Sequence, residues 1–89
     1  MTIENLTRLI NAEALNTPTI TSVSEFVFEL KHVRRGFAYI CLNANDSDIE
    51  TAIKQGAYAI ISEDNVPIID QEIAFLKVSS LQTAMIKLM

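Results

Sequence analysis

Two apolar runs separated by a capped amphipathic stretch constrain the fold of this chain more than any other feature. The first, residues 37–42, includes Phe37, Tyr39, Ile40 and Cys41; the second, residues 57–62, includes Ala57, Ala59, Ile60 and Ile61. Continuous apolar runs of this kind read as strands covered on both faces. Residues 43–46 between them read as a loop. Ser47 and Glu50 then have capping-box spacing, in which each side chain satisfies the other's backbone N–H. Ile49, Ala52 and Ile53 supply one buried helix face, and Gly56 suits the left-handed residue that ends a helix. Strand, helix and strand joined this closely predict a right-handed parallel crossover.

Around this βαβ unit the periodicity continues. Ile3, Leu6, Leu9 and Ile10 recur at helical spacing, with Thr2 as cap and Glu4 complementing the positive helix end. The spacing predicts a helix to about Ala14, stopped by Asn16, Thr17 and Pro18. Residues 19–22 and 25–30 are rich in β-branched and aromatic residues and read as short strands. Residues 31–36 read as a turn, with Gly36 free to take a positive φ. Residues 67–69 and 73–78 are further strand candidates, the second the stronger. A last helix is expected from a capping box of Ser79 and Gln82, with Leu81, Ala84, Met85 and Leu88 on its apolar face. No stop signal follows it, so the expectation is one domain over residues 1–89, cut near the start of a following segment or fraying in its last turn.

These elements predict a three-layered α/β domain with a small, largely parallel or mixed sheet flanked by helices. The expected core comprises Phe28, Ile40, Ile49, Ile53, Ile60, Ile61, Val78 and Met85. A chain of 89 residues that is 49% hydrophobic holds one modest core and is not disordered. Its net charge of -4 argues against general nucleic-acid binding, although Lys31, Arg34 and Arg35 form a local basic patch. No apolar run approaches the roughly 18 residues of a membrane span. The single cysteine, Cys41, rules out an internal disulfide and fits a reducing compartment, so the cytoplasm is the expected location.

Chemistry-bearing patterns are sparse. The two glycines, Gly36 and Gly56, cannot form a phosphate-cradling P-loop. Asp46, Asp48 and Glu50 sit at an expected helix N-terminus, where the helix dipole accounts for them better than a metal does. Cys41 and His32 are the one nucleophile–base combination, and Cys41 reads as a small core residue. The aromatic residues Phe26, Phe28, Phe37, Tyr39, Tyr58 and Phe75 read as core. No cofactor, no metal site and no catalytic set is expected.

From about Ile20 to the last helix, the pattern resembles the N-terminal domain of Mur ligases of the MurE and MurF type. In that family a motif close to D-S-R-x-V-x-x-G-x-x-F-x-A precedes a substrate loop, a helix and a G-A-x-A strand. Val33 and Gly36 match the V-x-x-G, and Tyr39 and Cys41 take the places of the Phe and Ala. Ala52, Ile53, Gly56, Ala57, Ala59, Ile60 and Ile61 match the helix and strand, and Ala84 and Leu88 match the helix leading into the ATP-binding domain. The resemblance implies a domain holding the UDP end of a peptidoglycan precursor, UDP-N-acetylmuramoyl-peptide, without catalysis of its own. It implies a ligand surface of Lys31, Arg34, Asn43, Asn45 and Asp46: asparagine amides for the uracil edge, Lys31 and Arg34 for the diphosphate.

The polar positions depart from the family. Glu29, Leu30 and Lys31 stand where the family has Asp-Ser-Arg, and Asp46, Ser47 and Asp48 stand where it has Asp-Gly-His or Asp-Gly-Arg. Leu30 removes a hydroxyl, and Lys31 lacks the bidentate fork of Arg. Asp48 puts negative charge near a diphosphate; at about 4 Å and an effective dielectric of about 20, one such contact costs on the order of 4 kcal/mol before screening. A second reading therefore stands beside the first: a degenerate domain that has lost nucleotide binding and serves as a protein-interaction or regulatory module. The partners implied are the UDP-precursor, the missing ligase domains or another protein, with neither nucleic acid nor membrane.

Overall fold

A computed structural model describes residues 1–42 and 45–88. Helix α1 (Ile3–Leu9) is followed by β1 (Glu13–Ala14), β2 (Phe26–Val27), a 3-10 turn (Leu30–His32), β3 (Ala38–Ile40), α2 (Asp46–Lys54), β4 (Ala59–Ser62), β5 (Ala74–Lys77) and α3 (Leu81–Leu88). The sheet has the order β1-β5-β4-β3-β2, with β2 to β5 parallel and β1 antiparallel to β5. Because β2, β3, β4 and β5 add in sequence across the sheet, crossovers of one hand all pass over the same face. The 3-10 turn, α2 and residues 63–73 make up that layer, and α1 and α3 cover the other. The three-layered α/β expectation holds, as does the parallel pairing of β3 with β4 through α2.

Alternation along short strands divides the core in two. Toward α1 and α3, Ala38, Ala59 and Ala74 stand in register, followed by Ile40, Ile61 and Leu76. Toward α2 the matching row is Tyr39, Ile60 and Phe75, with Cys41, Ile49 and Ala52 packed on it. Residues 59–62 are all buried, as expected of the central strand. Ile53 and Met85, expected in the core, are only partly buried beside these clusters. Phe28 is 50% exposed, which corrects its assignment to the core. The chain leaves the sheet after Val27 and turns into the 3-10 segment, so Phe28 stands at the sheet edge beside α3 and stays half exposed.

Other boundaries also differ from expectation. Helix α1 stops at Leu9 because Asn11 adopts φ 53°, a left-handed conformation that Asn tolerates better than most residues. The Asn11 N–H then donates to Arg8 O (3.2 Å) and the Ala12 N–H to Thr7 O (2.9 Å), a Schellman closure. Glu13 and Ala14 are thereby released to pair with Lys77 and Leu76. Asn16 extends that edge with its side chain, donating to Ile73 O (2.8 Å) and accepting from the Phe75 N–H (3.0 Å). Residues 19–22 pair with the N-terminus through a Thr2–Ser22 bridge instead of entering the sheet. Residues 67–69 form no strand, since β4 and β5 already occupy each other's edges and Pro67 lacks an N–H.

Both expected capping boxes are replaced by other caps. Asn45 caps α2, its Oδ1 accepting from the N–H groups of Ser47 (2.8 Å) and Asp48 (3.4 Å), so Asp46 is already helical. At α3 the Ser80 hydroxyl accepts from the Thr83 N–H, and the Glu63 carboxylate reaches across from the end of β4 to accept from the Leu81 N–H at 2.7 Å. Gly36 and Gly56 both take positive φ, +88° and +108°.

Candidate functional site

Parallel strands bring the candidate positions to one edge. β2 runs at its carboxyl end into Glu29, Leu30 and Lys31; β3 runs at its carboxyl end toward Asn45 and Asp46. In open α/β sheets, ligands are bound beyond the carboxyl ends of the strands. The two candidate segments, residues 29–31 and 45–46, thus follow neighbouring parallel strands.

Beyond that edge they diverge. The 3-10 turn carries the chain back along α2, where the Gln55 carboxamide, with its nitrogen facing the turn, donates to Leu30 O (2.9 Å) and Val33 O (3.3 Å). Lys31 and Arg34 are held together on this turn: Arg34 Nη1 donates to Lys31 O (3.0 Å) and to Val33 O (2.9 Å). Lys31 Nζ lies 3.5 Å from the Glu29 carboxylate, which also faces His32 Nδ1 at 3.9 Å. Asn45 and Asp46 stand at the opposite end of α2, whose nine residues extend about 12 Å. Asn43 lies outside the described residues.

The two ends differ in character. At the α2 N-terminus, Asn45 Oδ1 is occupied by the cap, in which its amide nitrogen takes no part. Asp46 lines a shallow recess of about 70 Å³ with Ile49, Glu50, Pro67 and Ile69. Pockets that enclose small molecules are several times larger. On the face of the sheet that packs against α2, burial pushes the Tyr39 phenol above its usual pKa, reinforced by the nearby Cys41 and Asp48. Cys41 is buried with Tyr39 against α2, whereas His32 is exposed beside Glu29. Among the described residues, no group of three or more His, Cys, Asp or Glu is placed to hold a metal ion.

Two surfaces escaped the sequence reading. A wide polar cleft of about 490 Å³ opens at the carboxyl ends of β4 and β5, lined by Asn11, Glu13, Glu63, Lys77 and Ser79. It depends on the antiparallel β1, which periodicity assigned to α1. An apolar groove of about 170 Å³, lined by Phe26, Phe28, Ile40, Met85 and Leu88, lies where β2 meets α3. The sequence reading placed Phe28 in the core and so gave no signal of it.

Comparison with known proteins gives a likeness of architecture. No protein-family model matches the sequence, and no curated protein matches it significantly. Among solved structures, a crystal structure of MurF from Acinetobacter baumannii superposes with a TM-score of 0.76 at 20% identity, over 98% of this chain and 20% of that one. A second crystal structure of that MurF gives 0.75 with the same identity and coverage. So does the UDP-N-acetylmuramoylalanyl-D-glutamyl-2,6-diaminopimelate–D-alanyl-D-alanyl ligase of Acinetobacter baumannii. The chain spans about a fifth of the length of these ligases. No described helix is long and apolar enough to cross a membrane. At this identity the relationship is one of fold: the chain folds as part of a MurF ligase does.

Proposed function

We propose that this chain is a Mur ligase N-terminal-type domain that holds the UDP end of a UDP-N-acetylmuramoyl-peptide in the cytoplasm and has no catalytic activity by itself. The observation that carries this reading is the superposition on MurF over 98% of the chain, in a sequence with the family's framework at Val33, Gly36 and residues 52–61. Lys31 and Arg34 are the cations offered to the diphosphate. The free amide nitrogen of Asn45, with Asn43 and Asp46, is offered to the uracil edge. Their separation along α2 suits an extended ligand better than a compact one.

Ligation by acyl phosphate requires a loop that cradles ATP phosphates and residues that hold Mg²⁺. The sequence holds no such loop, and among the described residues no group of three or more His, Cys, Asp or Glu is placed to hold a metal ion, so the proposal leaves that chemistry to other domains. Calorimetric titration with UDP-N-acetylmuramoyl-peptide tests the reading. Saturable binding that is abolished by Lys31→Glu with Arg34→Glu is expected. The absence of heat at millimolar precursor would overturn it.

A further inference from the structure

Four of the seven Lys and Arg residues, Lys31, Arg34, Arg35 and Lys54, gather where the 3-10 turn meets the last turn of α2, and all four are exposed. The other three, Arg8, Lys77 and Lys87, lie on α1, β5 and α3. The basic surface is held in place by its backbone. Gln55 ties the turn to the helix end, and the Gly36 N–H donates to Gly56 O at 2.8 Å. Gly56 packs so closely on Arg35 that a Cβ there would stand 2.6 Å from Arg35 Cα.

Its charges are largely uncompensated. Glu29 pairs with Lys31 at 3.5 Å; among the described residues, no carboxylate comes within ion-pair distance of Arg34, Arg35 or Lys54. Glu50 stands one turn before Lys54 on α2 without pairing with it. Arg35 Nε is directed to the Tyr58 hydroxyl at 3.4 Å, which leaves both terminal nitrogens as a fork for a carboxylate. None of the recesses described above is lined by these four residues. An extended polypeptide can lay several carboxylates across such an open surface at once.

We propose that this surface docks an acidic polypeptide segment, with carboxylates on the terminal nitrogens of Arg35 and on the ammonium group of Lys54, beside the Lys31 and Arg34 that the nucleotide reading gives to the diphosphate. The proposal goes beyond the nucleotide reading and does not depend on it. The test titrates the full chain with a fluorescent oligoglutamate peptide at low salt, in parallel with inorganic pyrophosphate. It compares Arg35→Glu/Lys54→Glu with Arg8→Glu/Lys87→Glu, which changes the net charge equally and also removes cations from last helical turns. Circular dichroism checks that both variants fold.

Binding that weakens steadily with added NaCl is expected. It should fall at least about tenfold in the first variant and stay within about twofold in the second, since a docked charge set against like charge costs several kcal/mol. Equal loss in both variants, or salt-independent binding, would overturn the proposal. So would pyrophosphate binding without peptide binding, which would leave this surface to the diphosphate alone.

Discussion

Gly56 and Arg35 are in backbone contact: with Gly56 at φ +108°, any side chain there would project its Cβ to 2.6 Å from Arg35 Cα and 3.0 Å from Arg35 N. The end of α2 and the turn before β3 are joined at this point, and glycine is required twice over, for conformation and for space. Gly56→Ala is therefore expected to destabilise the domain by about 2–4 kcal/mol, combining a left-handed backbone cost with displacement of rigid neighbours. Urea unfolding measures it. An unchanged midpoint would show that the contact is not tight.

Burial separates two residues that the helical period placed on one face. Ile49 is 1% exposed, whereas Ile53 is only partly buried. Ile49→Ala should cost about 2–5 kcal/mol, and Ile53→Ala clearly less, about 1–2 kcal/mol. The order of the two melting temperatures checks this; Ile53→Ala as the more damaging change would contradict the packing described.

The start of α2 offers a sharper discrimination. With Asn45 as the cap, Asn45→Ala should lose about 1 kcal/mol. Ser47→Ala should change stability by less than about 0.5 kcal/mol. The reverse order in denaturant titrations would reinstate Ser47 as the cap.

Tyr39 makes stability fall at alkaline pH. Its pKa is raised in the folded state, first by burial, so above the ordinary phenol value of about 10 the unfolded chain loses this proton while the folded chain keeps it. Stability contributed by the neutral phenol is complete below pH 10 and is lost as pH rises toward the folded-state pKa. Tyr39→Phe should flatten that decline, as read from melting temperatures between pH 9 and 11, roughly the range around an ordinary tyrosine pKa. Parallel curves for the two proteins would contradict it.

Much of the architecture was legible because the strongest signals were non-local in consequence. Continuous apolar residues in 37–42 and 57–62 identified β3 and β4, two of the three inner strands, and Gly36 and Gly56 marked the turns at positive φ. Short elements were not legible. β1 has two residues and owes its existence to pairing with β5, and Asn11 ends α1 by a conformation that its apolar neighbours do not announce. Caps were misassigned for a similar reason: Ser47 and Ser79 fitted a spacing, but Asn45, Ser80 and the distant Glu63 reach the N–H groups. For the candidate site, the resemblance grouped Lys31 and Arg34 with Asn45 and Asp46, and only the return of the turn along α2 shows that they stand at its two ends.

The most direct measurement is an amide-shift titration of the isotope-labelled chain with UDP-N-acetylmuramoyl-peptide. Saturable shifts at Lys31, Arg34, Asn43, Asn45 and Asp46, with β5 and α1 unmoved, are expected of a domain that holds the UDP end. Unchanged positions for these five residues at millimolar precursor would contradict it.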